Sequence, residues 1–499
     1  MQIWNRKVIV RHSLDYKYGP SPAYHADKQY PELSIFQEID VRNSVFSGIR
    51  QLFVDAGFDS EHLGGPNWNP LSELIRPGMT VLLKPNLVRH FNDLEEDTLG
   101  TITHGSIIRA VTDYVYLALK GTGRIIIADS PQDDADFEMI TALTGLKEIA
   151  TYYMEKVGFR IEYLDLRQYE TKKLDGVVVT KKNLSGDPRG YNIIDLGVSS
   201  AHSENEDYVD RFYGADYNTK ELRSNHCPGV HKYCISQTVL DSDVVINLPK
   251  MKTHKKAGIT VSMKNLIGIN GNKNYLPHHT LGLPVFGGDQ FATNSIKHLA
   301  EFYLLGLYKR AFKNNSKLLQ NFSLPLKAAG RKVFGETDLS CIRSGNWIGN
   351  KTIWRTILDL NRILLFCNKN GHMTHSQQRT YLSIIDGVVG GEGNGPLACA
   401  NKFSGFLVLG QNPLDADITA AYCMGFVPAR IPILKESIDR NLLRFEHGDD
   451  ARPEHILNGR SIQADVLLSQ YSIPFKPHFG WNTITYECRS MAKPNAKND

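Results

Sequence analysis

The sequence predicts an α/β protein of two lobes with mostly parallel sheets and an interlobe cleft. Three observations carry this. Short apolar, β-branched runs at 80–83, 124–128, 244–248, 381–385 and 406–409 alternate with stretches of helical periodicity, the pattern of strand-helix units. Each run discharges into polar or glycine-rich sequence rather than into another apolar stretch. The length of 499 residues exceeds the roughly 250 to 300 at which one hydrophobic core stops growing.

The run at 80–83 leads into Lys84-Pro85-Asn86. A helix is expected over 106–120, where Ile107, Ile108, Val111, Val115 and Leu119 share one side. The run at 124–128 ends at Asp129-Ser130-Pro131, and the polar segment 163–223 reads as a β-rich or loop elaboration. The third run passes through Pro249 to Lys250, Met251, Lys252, Thr253 and His254. The fourth meets Asp386 and then a glycine-rich acidic loop holding Glu392 and Asn394. The fifth is followed by Asn412 and a helix over 415–424 that carries Asp417. These elements divide the chain into an N-terminal lobe, 1–289, a basic helical insertion, 290–345, and a C-terminal lobe, 346–499. In open α/β sheets ligands bind outside the carboxyl ends of strands. Turn formation alone explains Asn, Asp, Pro or Gly at any single strand end, but five such ends with a polar theme point to a shared site.

Composition narrows the function classes. Hydrophobic residues at 41% and charged residues at 22% are those of a folded globular protein. A net charge of +4 over such a chain is no electrostatic footprint for nucleic acid, and none is expected as partner. The N-terminal apolar stretch is too interrupted for a signal peptide, and the run FYLLGLY falls far short of the roughly 20 residues of a membrane span, so a cytoplasmic location is expected. Seven scattered cysteines, with Cys227 and Cys234 the nearest pair, read as reduced thiols and give no ligand spacing for a 4Fe-4S cluster. In the insertion, Lys297, Lys309, Arg310, Lys313, Lys317, Lys327, Arg331 and Lys332 meet only Glu301 and Glu336, which describes a solvated basic face or a peripheral contact with an anionic membrane.

The densest chemistry lies at 241–271. Lys250, Lys252, His254, Lys255, Lys256 and Lys264 bring six cationic or titratable groups into fifteen residues beside a buried strand, which implies a small anionic ligand. Lys84, Asn86, Lys250, Lys252, Thr260, Asn265 and Asn394 are the candidate substrate-binding residues. His254, Lys264 and Asp129 are the candidate catalytic groups, with His254 exchanging a proton. Histidines concentrate at 226, 231, 254, 278 and 279, so His278 and His279, with Asp386, Glu392 and Asp417, are candidate ligands for a divalent metal. Beyond a divalent metal these residues leave the cofactor open, and a redox cofactor would turn the chemistry to oxidation or reduction.

The motifs LLKPNLV (82–88), THGSIIRAV (103–111), ADSP (128–131), INLPKMKTHKKAGITVSMKNLIG (246–268) and IIDGVVGGEGNGP (384–396), with the D-x-x-A-A-x-x-x-G pattern from Asp417 to Gly425, resemble the domain of unknown function family 362. Many members of that family carry ferredoxin-type cysteines for a 4Fe-4S cluster, and this chain lacks them. A more distant segment, in which His254 is followed ten residues later by Lys264 across Ala257-Gly258-Ile259-Thr260, is similar to nickel-dependent lactate racemase. That similarity implies Lys264 as an anchor for a nickel-pincer nucleotide or for substrate, His254 in acid/base chemistry and His278 or His279 on the metal. The chain departs from the racemase at Ser262-Met263, where a glycine pair is usual before the lysine, and at Asp129-Ser130-Pro131, where a Gly-Thr-His turn is usual. The function expected is proton or hydride-type transfer at a carbon centre of a small anionic or hydroxylated substrate, by an epimerase, racemase or oxidoreductase. The alternative is a non-catalytic binding protein for a metal or phosphorylated ligand, held at an anionic membrane surface.

Overall fold

A computed structural model describes residues 5–174, 177–214, 218–313, 341–441 and 453–486, together with 334, 335, 337 and 443. An 11-stranded sheet runs through the molecule. Its strands are β1 (Lys7–His12), β2 (Thr80–Pro85), β3 (Arg124–Asp129), β4 (Ile161–Asp165), β5 (Val244–Leu248), β6 (Lys250–His254), β7 (Gly258–Thr260), β8 (Thr380–Asn394), β9 (Ala398–Gly410), β10 (Glu454–Leu457) and β11 (Arg460–Ile462). The spatial order is β11-β10-β1-β9-β8-β5-β2-β3-β4, with β6 on β8 and β7 on β6. The run β8-β5-β2-β3-β4 is parallel throughout. Strand β9 lies antiparallel between β8 and β1.

The five apolar runs are all strands of this sheet, and alternation along them sorts their side chains between two cores. Leu82, Ile126, Val245, Tyr381 and Val408 face one core, which contains the helices α5 (Ile353–Phe366), α6 (Pro413–Cys423) and α7 (Pro432–Arg440). Leu83, Ile127, Ile246, Leu382 and Leu409 face the other, against α1 (Ser44–Asp55), α2 (Gly105–Leu119) and α3 (Leu146–Val157). A strand covered on both faces has no need of polar alternation, and the runs are continuously apolar for that reason.

Two expectations are corrected here. The sequence halves 1–289 and 346–499 were expected as separate lobes, yet β8 and β9 of the second half insert between β1 and β5 of the first. Pairing β8 to β5 hides both of their backbone edges inside one sheet. The glycine-rich acidic stretch was expected as a loop, and it is the distal half of the 15-residue strand β8. Its glycines serve close packing: a Cβ at Gly390 would stand 2.8 Å from the Met251 carbonyl oxygen, and one at Gly391 would stand 2.3 Å from that of Gly100. In the basic insertion, Ile296–Lys313 is helical. Lys317, Lys327, Arg331, Lys332 and Glu336 lie outside the described residues. No helix among the described residues is long and apolar enough to cross a membrane.

Candidate functional site

The carboxyl ends of β2 and β3, the hairpin β6-β7 and the short helix α4 (Ser262–Asn265) surround a cavity of about 340 Å³. Each wall has a local cause. Strand β6 pairs antiparallel with β7, with Lys252 opposite Thr260 and His254 opposite Gly258. Because side chains alternate along a strand, Lys252, His254 and Thr260 share the face that lines the cavity. Asn86 and Asp129 stand where β2 and β3 leave the sheet. Lys264 and Asn265 project from α4, whose first amides, Ser262 N at 2.7 Å and Met263 N at 3.0 Å, donate to the buried Asp417 carboxylate.

Lysine dominates this cavity. The Lys84 ammonium is buried against Asp129 at 2.7 Å and donates to the Pro85 carbonyl. Lys252 donates to the Thr101 carbonyl and, at 3.4 Å, to Asn86 Oδ1. Lys273 donates to the Ser130 carbonyl at 2.8 Å and to its hydroxyl at 2.9 Å. Lys256 reaches the Ser344 carbonyl. Lys264 is partly buried and lines the cavity, and its side chain makes no hydrogen bond or ion pair to the described residues.

Burial and crowding by like charge make these ammonium groups stronger acids, which hold their protons less tightly. Desolvation, then the neighbouring Lys252, Lys273 and Lys84, push Lys264 down to about 7, against an opposing pull from Asp129. Desolvation takes Lys252 and Lys273 down to about 8.

Burial favours the neutral form of the two histidines that line the cavity. Desolvation, with Lys264, Lys256 and Lys252 close by, drives His254 well below its ordinary value. Its Nδ1 accepts from the backbone amides of Lys256 at 3.0 Å and Ala257 at 3.1 Å, so the ring proton sits on Nε2. His254 therefore presents a hydrogen-bond donor, where the sequence suggested a proton-exchanging group. The same tautomer leaves no lone pair for a metal. His278 also lines the cavity, with Nδ1 donating to the Leu276 carbonyl at 2.7 Å.

The remaining candidates divide clearly. Asn86, Lys252, Thr260, Lys264 and Asn265 line the cavity, and the Thr260 hydroxyl is buried with no hydrogen-bond partner among the described residues. Lys84 lies beneath the lining. Asp129 lines it, but its oxygens accept from Lys84, Ser130 N and Leu87 N, which makes it an organiser of the strand end. Lys250 is buried on Asp386 at 2.7 Å and does not reach the cavity, nor does Asn394 at the end of β8. The proposed metal set disperses. His279 pairs with Tyr213 in a small two-stranded ladder, Asp386 holds Lys250, Glu392 accepts from Lys476 N at 2.9 Å, and Asp417 caps α4. Among the described residues no three His, Cys, Asp or Glu side chains are grouped to hold a metal ion. The residues present thus do not fit a histidine-bound nickel centre.

Sequence reading missed Lys273, Ser344 and Asn346, and it placed Lys256 in the cationic cluster and Ser130 at a strand end without giving either a role at the site. Lys273 lies in the polar run Asn270-Gly271-Asn272-Lys273-Asn274 that interrupts apolar sequence, a usable signal. Ser344 and Asn346 come from the segment that follows the insertion, and nothing local announces that it returns to the site.

The sequence profile of the family described as "Domain of unknown function (DUF362)" matches residues 81–183 and 169–422, more than half of the chain. The chain belongs to the DUF362 family. Every residue lining the cavity lies between Asn86 and Leu397, inside the matched span, so the site is built from the DUF362 region itself. No functionally curated protein matches the chain. Among solved structures, a crystal structure of a Thermotoga maritima protein is similar over 83% of this chain and 60% of its own, with 9% identity and a TM-score of 0.28. The chain thus spans less than two thirds of that protein's length.

Proposed function

We propose that this DUF362 protein catalyses proton transfer at a carbon next to the carbonyl of a small anionic substrate, with the Lys264 amine as base. The observation that supports this reading is the placement of Lys264: an amine with no hydrogen-bond or ion-pair partner among the described residues, facing a lysine-walled cavity, with a proton affinity matched to neutral pH. A lysine tied to a carboxylate would stay charged and could accept nothing. Here the free amine takes the proton from the substrate carbon. The developing enolate oxygen is met by the His254 Nε2–H and the Lys252 ammonium, donors fixed in place before reaction and set in a site of low dielectric. Returning the proton from Lys264 to the carbon completes the cycle, with electrons and atoms conserved. Of the two reactions expected from sequence, these residues support the proton route.

The experiment is exchange of substrate hydrogen with D₂O, followed by NMR over a set of small 2-oxo acids. Wild-type protein is expected to exchange the hydrogen next to the carbonyl, and Lys264→Met to slow it by roughly a hundredfold or more. Equal exchange in Lys264→Met, or none by the wild type with any member of the set, overturns the reading.

A further inference from the structure

The face of the β6-β7 hairpin that lines the cavity carries more hydrogen-bond donors than the protein itself uses. Lys252, His254 and Thr260 are all buried and all line the cavity. Lys252 and Thr260 are direct partners in the antiparallel ladder, with backbones about 5 Å apart. His254 follows Lys252 two residues along the same face, a step of about 7 Å. Their polar ends are thus confined to one small patch. An ammonium has three N–H donors, and the two hydrogen bonds that Lys252 makes go to neutral oxygens, the Thr101 carbonyl and Asn86 Oδ1. His254 keeps its Nε2–H, because its Nδ1 accepts from two backbone amides. The Thr260 hydroxyl, on a residue only 2% exposed, has no hydrogen-bond partner among the described residues. A buried hydroxyl left unanswered destabilises a fold, and valine has the same shape without that cost. Threonine at this position therefore calls for an atom of the ligand.

We propose that the substrate is a 2-oxo monocarboxylate and that Thr260 selects it, by holding the carboxylate bonded directly to the reacting carbonyl. The proposal rests on the proton-transfer reading of the same cavity and adds where the substrate carries its charge. When the two groups of a 2-oxo acid are coplanar, the carbonyl oxygen and one carboxylate oxygen lie side by side, and a single ammonium N–H is shared between them. Lys252 takes that position. The His254 Nε2–H reaches the carbonyl oxygen, and the Thr260 hydroxyl donates to the carboxylate. A carboxylate placed further along the substrate would leave Thr260 unanswered, and an ester would set the Lys252 charge against a neutral group. Lys264 projects from α4 rather than from the hairpin, which leaves it to face the carbon on the other side of the carbonyl.

The test is calorimetric titration with oxamate, a 2-oxo monoanion that has no C–H to exchange, with its neutral ethyl ester and with acetate. It is run at pH 7, where Lys252, at about 8, keeps its proton. Oxamate is expected to bind at least about tenfold more tightly than either comparator. Thr260→Val is expected to weaken oxamate about tenfold, and Thr260→Ser to restore it. Because the hydroxyl is unanswered in the empty protein, Thr260→Val should melt at an equal or higher temperature, whereas loss of a merely structural threonine would lower it. Lys252→Met is expected to bring oxamate to the level of its ester. Lys264→Met should keep the oxamate preference while losing proton exchange, which separates this proposal from the reaction. Binding of the ester or of acetate within about threefold of oxamate by the wild type overturns the proposal whether or not a variant folds, as does unchanged oxamate affinity in a folded Thr260→Val. Failure of exchange with the oxamate preference intact overturns the reaction alone, and exchange without that preference overturns this proposal alone.

Discussion

At the scale of single residues, Lys264 sets function against stability. Its folded-state proton affinity, about 7, lies below the ordinary lysine value of 10.5. Between those two values the unfolded chain binds more protons than the folded one, so this residue's contribution to stability rises with pH from about 7 to 10.5. Below about 7 the penalty for burying the charge is present in full. Lys264→Met removes it and is expected to stabilise the protein by about 1–3 kcal/mol at pH 6, with the advantage shrinking as pH climbs. Thermal unfolding of both proteins across pH 6 to 10 measures it, and a gap that widens with pH is the contrary result. Activity should follow a bell. The base appears as pH passes about 7, and anion binding is lost as Lys252 deprotonates above about 8. kcat/KM is therefore expected to peak in a narrow window between those limits, with both limbs belonging to the coupled lysine cluster. A profile still rising at pH 10 contradicts that assignment.

At the scale of elements, α4 depends on a residue far away in sequence. Asp417, on α6, receives the amides of Ser262 and Met263, and burial lifts its carboxyl to about 7 despite those bonds. Asp417→Ala leaves two buried donors unanswered, an expected loss of about 1–3 kcal/mol. It also frees the helical turn that aims Lys264, so kcat should fall about tenfold or more. Substrate affinity should change little, since Lys252 sits on another element. A fall in affinity with kcat intact is the result that contradicts this division. Asp417 shows how far sequence reasoning reached. The strand runs and the helix at 106–120 were legible because both cores demand apolar periodicity, and they appear as β2, β3, β5, β8, β9 and α2. Asp417 stood out in the sequence too, but as a metal ligand, whereas it accepts from the first amides of α4. A buried carboxylate serves equally as a helix cap, and only the contact between α6 and α4 distinguishes the two. For His254 the reading turned on two backbone amides, which leave no trace in residue identity.

At the scale of the molecule, the order of strands was not legible, because apolar runs buried on both faces look alike and nothing local tells β5 to choose β8 and β2 as neighbours. Their pairing makes one cooperative structure from sequence halves that length alone would separate. The clearest stitch is the Lys250–Asp386 pair, register partners on β6 and β8. The same carboxylate accepts from the Tyr18 hydroxyl and from His104 N at the start of α2, so four distant segments converge on one buried charge. Lys250→Met removes its countercharge and is expected to cost about 3–5 kcal/mol. Adding Asp386→Asn removes the stranded charge while keeping an acceptor for Tyr18 or His104. The double variant should then be less destabilised than the sum of the single changes, with a coupling of about 1–3 kcal/mol. Because the pair joins both halves of the sheet, unfolding of Lys250→Met should move every part of the chain together. Near-ultraviolet dichroism, calorimetry and the emission of buried Trp68 and Trp481, one in each half, are expected to report a single shifted transition. Transitions that separate between the two tryptophans would restore the two-lobed division.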